Sequence, residues 1–165
     1  MGQMEIVGNP VIDTRQVGLM QPMALGKGTP SGRTKVLLID DDPLIIEVMA
    51  DKFDSPGLGR YQLITAGDGR TALGLFQREK PPVVLIDRTI LGDFKGGDEI
   101  AKSIREDDQR TGRKTHIILV SADNQRDYSP TLFDQFMLKL CTNAQLADVL
   151  GKAEADVGNR HRLSV

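Results

Sequence analysis

Apolar and polar positions alternate in blocks along this chain, and the blocks have two lengths. Short runs of largely apolar residues, many of them β-branched, occur at Lys35-Val36-Leu37-Leu38-Ile39, Tyr61-Gln62-Leu63-Ile64-Thr65-Ala66, Val83-Val84-Leu85-Ile86, Ile117-Ile118-Leu119-Val120 and Phe136-Met137-Leu138. Runs of that length without polar alternation predict strands buried on both faces, the pattern of a parallel sheet. Between them the apolar residues fall at helical spacing. Leu44, Ile45, Val48, Met49 and Phe53 predict a first helix opened by Pro43, and a second helix is expected from about Thr71 to Arg78 with Ala72, Leu73, Leu75 and Phe76 on one face. A third is expected from about Asp98 to Arg105, followed by a polar segment from Glu106 to Thr115. Thr142 to Gln145 has the Thr-x-x-Gln spacing of a capping box and opens a last helix through Leu146, Val149 and Leu150. The stretch from Asp123 to Asp134 is polar, contains Pro130 and is weak as a helix.

Strands alternating with helices imply βαβ units with right-handed crossovers, so the expected architecture is α/β, a doubly wound five-stranded parallel sheet covered on both faces. Residues 1–33 are rich in glycine, carry Pro10, Pro22 and Pro30 and show no sustained period, which marks a flexible N-terminal extension. The domain then spans 34–152, and residues 153–165 are expected to fray as a C-terminal tail. Composition changes this picture little. With Lys+Arg 21 against Asp+Glu 23 the formal charge is -2, which gives no reason to expect nucleic acid or an anionic membrane as partner. The single cysteine, Cys141, excludes an internal disulfide and reads as a small buried hydrophobe; together with the lack of a signal-like apolar segment it points to the cytoplasm. His116 and His161 lie in polar segments without metal-ligand spacing, and neither is assigned a role.

Chemistry gathers at the strand ends. The first strand stops on Asp40-Asp41-Asp42, the third on Asp87, the fourth on Ser121 and the fifth on Lys139. In an open parallel sheet, carboxyl ends share one edge, where such folds build their sites. Carboxylates crowded there need a divalent cation, an ammonium or protonation to relieve their repulsion. Oxygen ligands in small number suit Mg²⁺, and a cation, a hydroxyl and a lysine beside a carboxylate make a place for a phosphoryl group. Each part also has a plainer explanation. The acidic run can be a helix N-cap, Asp87 a turn residue, Ser121 a cap and Lys139 a solvated strand end.

Val36-Leu37-Leu38-Ile39-Asp40-Asp41-Asp42-Pro43, Val84-Leu85-Ile86-Asp87, Ile118-Leu119-Val120-Ser121-Ala122 and Phe136-Met137-Leu138-Lys139 together resemble the receiver domains of bacterial two-component response regulators, over about Thr34 to Lys152. The resemblance implies the flavodoxin-like strand order 2-1-3-4-5. It also implies Asp87 as phosphoacceptor, Mg²⁺ held by Asp40, Asp41, Asp87 and the backbone carbonyl of Thr89, and Ser121 and Lys139 as partners of the phosphoryl oxygens. Phe136 matches the family's aromatic switch, and the donor would be a histidine kinase or histidine phosphotransferase. On this basis the chain is expected to be a stand-alone switch rather than an enzyme, with an unknown downstream protein partner, no nucleic acid and no membrane insertion.

Four departures accompany the match. Leu91 stands four residues after Asp87, where family members usually have proline, and the Gly96-Gly97 turn comes about two residues late. Leu140 replaces a proline that commonly follows the lysine, and the segment before Phe136 predicts a fourth helix that is short or distorted. Two other readings remain open at this level. One is a Mg²⁺-dependent phosphatase resembling the haloacid dehalogenase-like group, through Asp40-x-Asp42, Ser121 and Lys139. The other is a receiver-like interaction module that no longer cycles phosphate.

Overall fold

The structure, a computed structural model, describes residues 32–91, 96–123 and 127–162, with side chains through residue 159. Apart from Gly32 and Arg33, the expected flexible extension therefore lies outside the described residues. The elements follow in the order β1 (Thr34–Ile39), α1 (Pro43–Phe53), a 3₁₀ turn (Pro56–Leu58), β2 (Tyr61–Ala66), α2 (Gly69–Glu79), β3 (Val83–Asp87), α3 (Gly97–Thr111), β4 (His116–Ser121), β5 (Gln135–Leu138) and α4 (Asn143–Arg162). The strands form one sheet, all parallel, in the order β2-β1-β3-β4-β5. This is the flavodoxin-like order the resemblance implied, with four α-helices.

Side chains alternate across the sheet and feed two separate cores. Val36, Leu38, Val83, Leu85, Ile118 and Val120 pack on one face with Met49 and Phe53 of α1 and Leu146 and Leu150 of α4. Leu37, Ile39, Val84, Ile86, Ile117 and Leu119 pack on the other with Ala72 and Phe76 of α2 and Ile100, Ala101 and Ile104 of α3. Cys141 is buried in the first core, where desolvation pushes its thiol pKa up, as befits a small apolar filler. Local caps fix where the helices begin. Asp42 accepts from Leu44 N at 2.9 Å ahead of Pro43, and Asp68 accepts from Thr71 N at 2.8 Å. The capping box is formed in both directions, Thr142 N to Gln145 Oε1 at 2.8 Å and Gln145 N to Thr142 Oγ1 at 3.2 Å.

Three boundaries differ from the expectation, each through contacts with residues distant along the chain. Helix α3 does not stop at Arg105 but continues to Thr111, because the next inward position, Asp108, is buried and satisfied by Thr115 N (2.7 Å) and Thr115 Oγ1 (2.8 Å). His116 is not in a polar segment. It opens β4, is 2% exposed, and its ring reaches Gln135 Oε1 (3.0 Å) and Asp156 Oδ2 (3.4 Å). The tail expected at 153–165 is helical through Arg162: Ala153 is fully buried and Glu154 accepts from Thr34 Oγ1 at 2.6 Å, docking the second half of α4 against β1. His161 falls within α4, with its side chain outside the described residues.

Between β4 and β5 the described residues form no helix, in line with the weak helical signal there. Phe133, 1% exposed, plugs the core in its place, flanked by Tyr128 and Leu132. Arg105 fastens this segment to α3. Its guanidinium donates to Leu132 O (2.9 Å), Thr115 O (2.6 Å) and Asp134 Oδ2 (2.6 Å), while Asp134 also accepts from Ile117 N at 2.8 Å. Backbone groups that a helix would satisfy internally are met here by one fork-shaped side chain.

Candidate functional site

β1 and β3 lie side by side in register, Ile39 opposite Ile86, so the residues that follow them emerge together at the carboxyl edge. Asp40 is fully buried and Asp87 is 7% exposed. One carboxylate oxygen from each of Asp40, Asp41 and Asp87 lies within 4.8 Å of the others. Asp42, the third acid of the run, is turned away from this group as the α1 cap, and its backbone N–H donates to Asp40 Oδ1 at 3.0 Å. The acidic run thus divides its labour: one residue starts the helix and two build the cluster.

Lys139 follows β5, and its backbone N–H donates to Ser121 O at 2.8 Å. Its ammonium lies 2.8 Å from Asp40 Oδ2 and 3.0 Å from Asp87 Oδ2. Every described peptide bond is trans, including the one into Leu140, and the lysine still reaches both carboxylates. Burial and then the neighbouring Asp40 charge push the Asp87 carboxyl above its ordinary pKa, although Lys139 pulls the other way. A single ammonium shared between two acids stabilises neither as a private partner would. Burial alone would lower the Lys139 pKa; the bonds to Asp40 and Asp87 outweigh it and raise the value.

The other expected residues are placed less centrally. Thr89 offers its backbone N–H to the Asp87 carboxylate. Ser121 sits at the end of β4 on the same edge, but its Oγ accepts from Asp123 N at 3.2 Å, the plain capping role open to it from sequence. Phe136 lies on β5, half-buried and stacked on Tyr128 with centroids 6.2 Å apart and planes 12° from parallel. Sequence reading missed two backbone features of the site. Leu91 N donates to Asp41 Oδ2 at 2.6 Å, and Gly97 is packed so tightly beneath Asp87 that a Cβ there would lie 2.1 Å from the Asp87 carbonyl oxygen. The doubled glycine could have signalled that close approach; the Leu91 amide left no trace in side-chain pattern.

The cluster is suited to a small hard cation by its own chemistry. It offers three carboxylates and no nitrogen or sulfur ligand, the donor set that Mg²⁺ prefers. Asp40 Oδ2 is fully buried, and its close neighbour is the Lys139 ammonium at 2.8 Å.

The family comparison bears on the whole of this edge. Residues 36–150 match the response regulator receiver domain family. The chain belongs to this family. Among curated relatives of this receiver domain, the "Probable transcriptional regulator ycf27" of Guillardia theta is 35% identical over 75 residues, 46% of this chain and 28% of that protein. The "Probable transcriptional regulatory protein TcrX" of Mycobacterium tuberculosis is 34% identical over 67 residues, 41% of this chain and 27% of that protein. The matched part thus spans little more than a quarter of these relatives. Among solved structures, the signal receiver domain of the response regulator NarL from M. tuberculosis is 25% identical, covers 74% of this chain and 97% of its own, and superposes with a TM-score of 0.61. The signal receiver domain of a Luxo repressor protein from Vibrio parahaemolyticus shares the fold at 15% identity, with a TM-score of 0.67 over 81% of this chain and 98% of its own. Because these relatives are named as transcriptional regulators, the expectation of no nucleic-acid partner gains no support from them. No helix among the described residues is long and apolar enough to cross a membrane. The phosphatase reading loses its basis, since Asp42 is taken up as a helix cap and the family match lies elsewhere.

Proposed function

We propose that this receiver domain accepts a phosphoryl group on Asp87 from a phosphohistidine donor, a histidine kinase or histidine phosphotransferase, in a Mg²⁺-dependent reaction that switches binding of a protein partner. The observation that carries this reading is the Lys139 ammonium placed between Asp40 and Asp87 with Asp41 in reach. Asp87 is the nucleophile: as its P–O bond forms, the donor's P–N bond breaks, and the departing imidazole keeps the bonding electrons and takes up a proton. Lys139 neutralises charge on the phosphoryl oxygens and holds Asp87 in line with the incoming group. Asp40, Asp41, Asp87 and the Thr89 carbonyl would hold Mg²⁺, which when bound would supply further neutralisation of charge on those oxygens.

Two residues then convert the charge event into a change of shape. Ser121 gives up Asp123 N and turns its Oγ to a phosphoryl oxygen, and Phe136 moves off Tyr128 into the space released. The partner therefore reads the edge formed by β4, β5 and their connection. The lone cysteine supports a reducing, cytoplasmic setting.

The test is incubation of the full chain with a small acyl phosphate donor, with Mg²⁺ or with chelator. The reading expects stoichiometric, base-labile phosphate that needs the metal and is lost in Asp87→Asn. Label in Asp87→Asn equal to the parent would reject the acceptor. No label in the parent, with or without metal, would favour an interaction module that does not cycle phosphate.

A further inference from the structure

Three carboxylates meet at the carboxyl edge, and two different fixed donors restrain them. Lys139 holds Asp40 at 2.8 Å and Asp87 at 3.0 Å. Asp41, the more exposed member, is held instead by the main-chain amide of Leu91, whose N lies 2.6 Å from Asp41 Oδ2. The Leu91 side chain is 74% exposed and contributes little packing, so what this residue brings to the site is its N–H. Closer to β3, Gly97 N donates to Arg88 O at 2.9 Å, just after Asp87.

We infer that the Leu91 amide is a positioning group for the metal site: it fixes Asp41 through Oδ2 and so aims the carboxylate at the cation position shared with Asp40 and Asp87. This rests on the Mg²⁺-binding reading above. A carboxylate has acceptor capacity for both a donor and an ion, so the amide and the metal do not exclude one another. Free in water, an aspartate at an exposed strand end samples several rotamers, and an ion binding it must bear that ordering cost. With the amide in place, the cost is met during folding. Donors behind ligands play this part in metal sites generally, and losing one lowers metal affinity about 10–100-fold. Proline, the residue family members usually carry at this position, has no N–H and could not supply the bond.

The test compares Mg²⁺ binding by titration calorimetry in the parent, Leu91→Pro and Leu91→Ala, alongside urea unfolding of each without metal. Leu91→Ala keeps the N–H and should bind Mg²⁺ as the parent does; Leu91→Pro should bind about tenfold more weakly. Equal affinity in parent and Leu91→Pro, or tighter binding by Leu91→Pro, overturns the positioning role while leaving Mg²⁺ binding itself intact. Absence of Mg²⁺ binding in the parent overturns the metal reading and this inference together. Should the unfolding curves show that Leu91→Pro is poorly folded, hydrogen exchange decides. The Leu91 amide proton should exchange slowly in the parent, more slowly with Mg²⁺ and faster in Asp41→Ala. Exchange unaffected by Asp41→Ala removes the bond on which the inference stands.

Discussion

Replacing Lys139 with methionine should turn the site against its own fold, and the size of the effect follows from the geometry. In the parent one ammonium, its side chain 12% exposed, sits 2.8 Å from Asp40 and 3.0 Å from Asp87. Lys139→Met keeps most of the stem's apolar volume and removes the charge, leaving two carboxylates facing each other at a buried edge. Like charges about 4 Å apart repel by roughly 4 kcal/mol at an effective dielectric of about 20. Stripping one partner from a buried ionic group costs about 3–5 kcal/mol. A loss of about 3 kcal/mol at neutral pH is therefore expected, a large share of the roughly 5–15 kcal/mol that holds a domain of this size. The loss should depend on pH. The Asp87 pKa is already raised in the fold, by burial first and Asp40 next, and removing the ammonium takes away its main opposing influence. A carboxyl whose folded pKa is raised contributes stability below its unfolded value and loses it as pH rises through the folded value. The deficit of Lys139→Met should accordingly be smaller near pH 4 and grow towards about pH 7, in the direction the raised Asp87 pKa sets. Mg²⁺ should restore more stability to the variant than to the parent. Urea unfolding followed by far-UV circular dichroism, at both pH values and with metal or chelator, measures all of this. A deficit under about 1 kcal/mol at neutral pH, or one that does not change with pH, would refute the account of the shared lysine.

Two other substitutions test the scaffold under the site. Gly97→Ala should destabilise by about 2 kcal/mol or more and impair phosphate acceptance, because the new Cβ would meet backbone, the Asp87 carbonyl oxygen at 2.1 Å, which has no rotamer to yield; unfolding and labelling assays check the two effects. Arg105→Ala should cost about 3 kcal/mol in urea unfolding by releasing Leu132 O, Thr115 O and Asp134 at once, and Arg105→Lys should recover less than half, since an ammonium cannot reproduce the planar fork.

Much of this fold was legible in sequence because its determinants are local. The buried strands are uninterrupted apolar runs, and Thr142 with Gln145 signals the start of α4 three residues apart. The site was legible for a related reason: a parallel sheet sends every strand's carboxyl end to one edge, so Asp40, Asp87 and Lys139 meet without further information. What escaped depends on distant partners. Asp108 and His116 look like surface residues until Thr115 and Gln135 are seen to satisfy them, so the end of α3 and the start of β4 were misjudged. The second half of α4 is held through Ala153 and Glu154, and its pattern alone looked like a tail. For Ser121 the sequence offers both a cap and a phosphoryl partner, and in this structure its hydroxyl serves the turn after β4. The Leu91 amide had no side-chain signal at all, since a main-chain donor is the same in every residue but proline.

The most direct test of the central claim is to locate the phosphoryl group chemically. The full chain is treated with an acyl phosphate donor and Mg²⁺, the product is reduced with borohydride, which converts a phosphorylated aspartate to homoserine, and tryptic peptides are read by mass spectrometry. The account predicts homoserine at position 87, abolished by chelator and absent from untreated protein. Homoserine at Asp40 or Asp41 with Asp87 unmodified would contradict it.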